Sequence, residues 1–175
     1  MKPYPKYLDW LRYICAVLLC FYGVSKLTGH QLVVAPWVAQ KPIGSLDGYT
    51  LTWYYFGYSH AYKYILGAIQ VACASLLLFR KSALIAAITM VPMMVNIMLI
   101  NVFYSITAGA ERTAAFILGC MLLLLWHQRE ALFETLWASQ PTESSSAQRR
   151  HWFIRGFVLL FVIGEVIFGA VMGHR

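Results

Sequence analysis

Four stretches of this chain, and a fifth near its C-terminus, are apolar over close to the length needed to cross a bilayer, and that repetition limits the fold more than any other feature. A membrane-spanning helix needs about 20 mostly apolar residues. The runs lie at about Leu11–Leu27, Tyr62–Phe79, Ser82–Tyr104, Arg112–Trp126 and Trp152–Met172. Of the 175 residues 60% are hydrophobic and only 12% charged, with a mean hydropathy of +0.62. A soluble domain of this size cannot hide so much apolar surface, whereas lipid solvates it. In hydrocarbon each backbone amide must find its partner within its own segment, so the runs are read as helices. The expected fold is all-α: a polytopic bundle of four core helices with a fifth, C-terminal span, in one integral membrane domain.

The net charge of +7 is read in that light. The basic residues sit at the edges of apolar runs, where they set topology and meet anionic headgroups. No basic stripe with interleaved aromatics lies outside the runs, so nucleic acid is not an expected partner. With the N-terminus in the cytoplasm, that side collects Lys2, Lys6, Arg12, Arg80, Lys81, Arg129, Arg149, Arg150 and Arg155. The outer side holds Lys26, Lys41, Lys63, Arg112 and Arg175. The positive-inside rule therefore predicts a multi-pass protein of a bacterial inner membrane, N-terminus in and C-terminus out.

The segments between spans carry their own signals. Asp9 is expected just before span 1 as a cap for its first turn, with Arg12 one turn inside, paired with Asp9 or reaching the headgroups. Gly29 marks the exit. Residues 29–60 read as a long outer loop crowded with Trp37, Tyr49, Trp53, Tyr54, Tyr55, Phe56 and Tyr58. Such rings favour the membrane–water boundary, and a loop this long is an anchor or a lid over a site. Pro92 is expected to kink span 3 and free the carbonyl of Ile88, with Asn96 placed to bond the freed carbonyls. Residues 128–151 read as a cytoplasmic amphipathic segment followed by a polar linker. Cys15, Cys20, Cys73 and Cys120 form no Cys-x-x-Cys pair and read as small buried hydrophobes, with a redox thiol pair as the alternative.

Polar groups inside the runs are costly and ask for a partner or a purpose. Tyr22 and Lys26 share a helix face at i,i+4, and Asn101 and Tyr104 share one at i,i+3. By depth, Tyr22, Lys26, Gln70, Asn101, Tyr104, Arg112 and Glu165 fall together in the outer half of the bundle. They are read as an outward-opening polar pocket roofed by the aromatic loop, with Trp53 a stacking surface; helix-to-helix glue is the competing reading. Glu165, the one acid deep in an apolar run, is expected to pair with Lys26 or to stay protonated. No metal, flavin or haem motif and no phosphate loop is evident, and the five histidines show no ligand spacing.

The stretch Leu51–Gln70, the segment Leu76–Lys81, and Asn96 followed by Asn101-x-x-Tyr104 resemble the DoxX-like family of small bacterial membrane proteins. The Arg12…Gly23-x-x-Lys26 pattern of span 1 is similar to that family's first helix. The likeness covers about residues 10–130. It implies a four-helix bundle and, from members tied to quinone-coupled sulfur oxidation or oxidative-stress complexes, a small-ligand-binding or accessory subunit of a membrane redox system. A quinone is the cofactor or ligand so implied, and a membrane protein partner or a second copy the expected company. Ser105 stands where related sequences often carry Asp, and span 5 lies beyond the family's four helices. A small transporter or channel, or a non-catalytic scaffold, is the alternative.

Overall fold

The computed structural model describes residues 3–135 and Leu160. Among these residues the chain is all-helical: α1 Lys6–Leu27, α2 Gly48–Tyr58, α3 His60–Leu78, α4 Ala83–Phe103, α5 Ala108–His127 and the short α6 Arg129–Phe133. Four of them, α1, α3, α4 and α5, have 19 to 22 residues each and are long and apolar enough to cross a membrane. At 1.5 Å per residue each reaches about 30 Å, the thickness of the hydrocarbon core. Only about a third of each apolar window is buried inside the bundle. The rest, including Val17, Phe21, Ile65, Ile85, Leu99 and Leu123, faces outward. An outward surface of that composition is solvated by lipid, and the protein is a multi-pass membrane bundle. The expected fifth span, with Glu165 and the linker that precedes it, lies outside the described residues.

Helix α1 packs along α3, and α4 along α5, with fewer contacts joining the pairs. The first pair is set by glycine. A Cβ at Gly23 would lie 2.8 Å from the Gly67 carbonyl oxygen, and one at Gly67 would lie 2.9 Å from that of Gly23. The two backbones therefore touch, as small residues permit in membrane bundles. The common core is also built from small and flexible side chains, among them Ala16, Ala74, Ala86, Met90, Met94 and Met121. Cys15, Cys73 and Cys120 belong to it as small hydrophobes, whereas Cys20 is exposed, and all four thiols are free.

Several boundaries depart from the sequence expectation. Helix α1 begins at Lys6, with Pro5 at the N-cap, because proline's fixed φ suits a helix start. Asp9 therefore lies inside the helix and caps nothing. It pairs with Arg12 at 2.9 Å and with Arg80 from the α3–α4 turn. Arg12, 1% exposed, also donates to the carbonyl of Leu77 at 2.6 Å. The α3–α4 turn is tied further by Ser82 Oγ, which donates to the Leu76 carbonyl at 2.8 Å. Helix α4 runs continuously through Pro92. At the far end of the molecule's sequence of described elements, α5 stops at His127 and α6 follows as a separate short helix, rather than one continued amphipathic stretch.

Residues 29–60 are not an irregular loop. They hold two 3₁₀ turns, Val38–Gln40 and Ile43–Ser45, and the 11-residue α2. Glycine fixes this helix at both ends: a Cβ at Gly48 would meet the Tyr104 carbonyl oxygen at 2.5 Å, and one at Gly57 would collide with the Leu32 carbonyl. Helix α2 is thus held between the C-terminal end of α4 and the segment that leaves α1.

Candidate ligand cavity

Below α2 the bundle forms a partly open cavity of about 520 Å³. Residues from every long helix line it, as do the α1–α2 connection and α2 itself. Helix α2 contributes Tyr49, Thr52, Trp53 and Phe56, spaced i, i+3, i+4 and i+7 along one face. Its other face exposes Tyr55 and Tyr58. Burial, and then the charge of Asp47, hold the Tyr49 phenol above its ordinary pKa, so it meets the cavity as a neutral hydroxyl. The aromatic segment is therefore the roof that the sequence suggests, built as a helix.

The polar groups of the cavity are few and placed by the glycine contact. Lys26 stands three residues after Gly23, and Gln70 three after Gly67, so the close approach of α1 and α3 brings both side chains to one cavity. Lys26 is 8% exposed. Its Nζ donates to Gln31 Oε1 at 2.9 Å and to the Tyr22 carbonyl at 3.5 Å, and lies 5.7 Å from the centre of the Tyr22 ring. Gln31 reaches it because Gly29 adopts φ +76° after α1. The chain then folds back, and the amides of His30 and Gln31 both donate to the Ser25 carbonyl. Gln70 is 2% exposed, and its Oε1 has no hydrogen-bond partner. Asn96 and Asn101 complete the polar lining at the α4 wall; Thr107 and Thr113 do so at α5.

Of the residues expected at the site, Tyr22, Lys26, Gln70, Asn101 and Trp53 line this cavity. Tyr104 does not. Helix α4 ends at Phe103, so the i,i+3 face shared with Asn101 no longer applies, and the Tyr104 backbone serves instead as the abutment for Gly48. Arg112 does not line it either. Helix α5 begins four residues earlier than expected, at Ala108, and Arg112 sits exposed on its outer face, its Nε donating to the Ala108 carbonyl at 3.1 Å. The proposed Lys26–Glu165 pair lies outside the described residues. Asn96, expected to serve the Pro92 turn, lines the cavity instead. Gln31 and Thr52 were not expected at the site. Gln31 lies past the end of a helix, where spacing carries no facing information. Thr52 belongs to the unrecognised α2.

The cavity can accept a ligand that is mostly apolar with one polar end. Ligand pockets of 300–1,000 Å³ with a few convergent polar groups are the usual form of small-molecule sites, and this one falls within that range. Lys26 is the one charged side chain among the described lining residues, and no carboxylate accompanies it.

No protein-family model and no solved structure matches the chain. It is similar to "Uncharacterized protein YwoB" of Bacillus subtilis (strain 168), at 33% identity over 129 residues, covering 74% of this chain and 80% of that protein. On that identity and coverage, the chain belongs to the same family as YwoB.

Proposed function

We propose that this protein is a small-ligand-binding or accessory subunit of the bacterial inner membrane, DoxX-like in build, with its N-terminus in the cytoplasm and its cavity toward the outer leaflet. The observation that carries the reading is the cavity of about 520 Å³ in which a buried lysine has no carboxylate partner among the described residues and a buried glutamine has an unpartnered oxygen. A buried charge or amide left without partners costs stability. A ligand in the cavity that accepts from Lys26 and donates to Gln70 Oε1 would give both groups the partners they lack. The link to a membrane redox system rests on the DoxX-like resemblance. In that setting a quinone is the first carrier to test, its ring oxygen accepting from Lys26 and its ring lying against Trp53.

Native mass spectrometry of the purified protein, released from detergent, tests the binding reading. The expected result is an adduct of small-molecule mass that is absent from Ala114→Phe, which fills the cavity, and from the doubly substituted Lys26→Met, Gln70→Leu. An adduct retained unchanged by both variants, or no adduct and no binding of any added amphiphile, contradicts it. Co-purification of a quinone, identified by organic extraction, would support the redox link specifically.

A further inference from the structure

We infer that the ligand of this cavity carries an anionic headgroup on an apolar body, and that Lys26 is its counter-ion. The inference rests on the ligand-binding reading above, though not on its redox part.

The hydrogen-bond count at Lys26 gives the first reason. An ammonium has three N–H donors and no acceptor. Gln31 Oε1 and the Tyr22 carbonyl take two of them, and the face of the Tyr22 ring lies beside the group. All three neighbours offer electron density, which favours the charged form, and none is itself charged. The site thus meets the ammonium with dipoles alone and, among the described residues, leaves one N–H without an acceptor and the charge without a counter-ion.

The composition of the walls gives the second. The other polar residues around the cavity, among them Tyr22, Gln70, Asn96 and Asn101, are neutral, and no Asp or Glu is among the described lining residues. A neutral ligand such as an alcohol or a quinone would accept a hydrogen bond but leave the charge uncompensated at low dielectric. A monoanion removes it, and a charge-assisted hydrogen bond is about twice as strong as a neutral one. The apolar remainder of the wall, including Leu19, Leu66, Met93, Ile97 and Ile117, suits a hydrocarbon body. A carboxylate or a phosphate monoester would each meet this chemistry, from a fatty acid or from a lipid headgroup.

The test compares ligands of one shape and different charge. Wild-type protein and Lys26→Met in neutral detergent are titrated with oleate, oleyl phosphate, oleyl alcohol and decylubiquinone, with bound ligand read by native mass spectrometry. Wild type is expected to bind at least one of the two anions about tenfold or more tightly than oleyl alcohol. Lys26→Met is expected to lose that preference, its affinity for the anions falling to within about twofold of its affinity for the alcohol. The better of oleate and oleyl phosphate identifies the source of the headgroup. Equal binding of anions and alcohol by wild type, or an anion preference that survives in Lys26→Met, overturns the inference while leaving ligand binding intact. A preference that appears only when Glu165→Gln is introduced overturns it too, because the anion would then belong to the chain. Absence of binding by all four probes is the failure of the ligand-binding reading itself.

Discussion

Helix α1 buries one cation near each of its ends, and the bundle treats the two in opposite ways. At the end where α1 begins, Arg12 is sealed in and its charge is met by Asp9, which also holds the exposed Arg80. The Leu77 carbonyl accepts a further hydrogen bond from Arg12, and the Tyr13 ring lies 4.7 Å from its guanidinium carbon. At the end where α1 finishes, Lys26 is nearly as buried but meets only an amide, a carbonyl and a ring, beside a cavity. In the first arrangement, a carboxylate of the chain meets the charge, although Arg12 Nε has no hydrogen-bond partner, and the pair ties α1 to the α3–α4 turn. The second is incomplete among the described residues. Two buried cations on one helix, 14 positions apart, thus separate into a structural and a functional class by the company they keep rather than by residue type or depth.

Breaking the carboxylate-paired end should have the largest effect on stability. Asp9→Asn leaves the sealed Arg12 without its carboxylate, and removing one partner of a buried pair costs about 3–5 kcal/mol. A clear fall in the unfolding temperature in detergent is expected, with ligand retention unchanged in the protein that remains folded. Next in size is Gly23→Ala. Its Cβ would meet the Gly67 carbonyl oxygen at 2.8 Å and the Val71 backbone nitrogen at 3.0 Å. Overpacking of this kind costs about 1–3 kcal/mol. Because the same contact aligns Lys26 with Gln70, ligand binding should weaken with it, by titration. Arg80→Ala, which removes only the exposed partner of Asp9, should lower the unfolding temperature less than either. Lys26→Met should leave the ligand-free unfolding temperature unchanged or raise it, since a buried charge without a carboxylate partner is replaced by an apolar side chain of similar length. A large loss of stability in Lys26→Met would place Lys26 in the same class as Arg12. Smallest of all, Arg112→Ala should change neither stability nor ligand retention, because Arg112 is exposed and bonds its own helix.

Much of the frame was legible in the sequence, because lipid imposes a simple rule: a run of apolar residues long enough to cross becomes a helix. The expected spans 62–79, 82–104 and 112–126 correspond to α3, α4 and α5 within a few residues. Position along each run also groups Lys26, Gln70 and Asn101, and the three line one cavity. What the sequence hid depended on facing and on chain reversal. Helix α2 is aromatic on both faces, with Tyr55 and Tyr58 outside and Tyr49, Trp53 and Phe56 inside, so no apolar stripe distinguished it from an interfacial loop. The spacing of Tyr49, Thr52, Trp53 and Phe56 was the available sign. Tyr104 and Arg112 do not join the lining, because helix ends shift by a few residues and each one-residue shift rotates a side chain by about 100°. Asp9 has the residue type of a cap, but the polar and aromatic residues before it conceal a helix that starts at Lys6. The Arg80 contact, across 71 residues of sequence, had no local signal at all.

Among the described residues, two non-glycine positions adopt left-handed backbone conformations, Leu32 at φ 55° and Ser105 at φ 53°. Both flank the roof: the Leu32 carbonyl abuts Gly57, and Ser105 follows the Tyr104 carbonyl that abuts Gly48. Strain of this sort persists only where the surroundings enforce it. Here it lies at the two points that hold α2 over the cavity. The positions resemble clasps, and they link the roof directly to the ends of α1 and α4 that carry Lys26 and Asn101.

The most direct measurement of the difference between the two ends is thermal unfolding of wild type and Lys26→Met, side by side in detergent, with and without a total bacterial lipid extract. A ligand at 100 times its Kd stabilises the folded state by about 2.7 kcal/mol. The extract should raise the unfolding temperature of wild type and leave that of Lys26→Met where it was. An equal rise in both proteins, or no rise in either, would contradict the assignment of Lys26 as the anchor of a bound ligand.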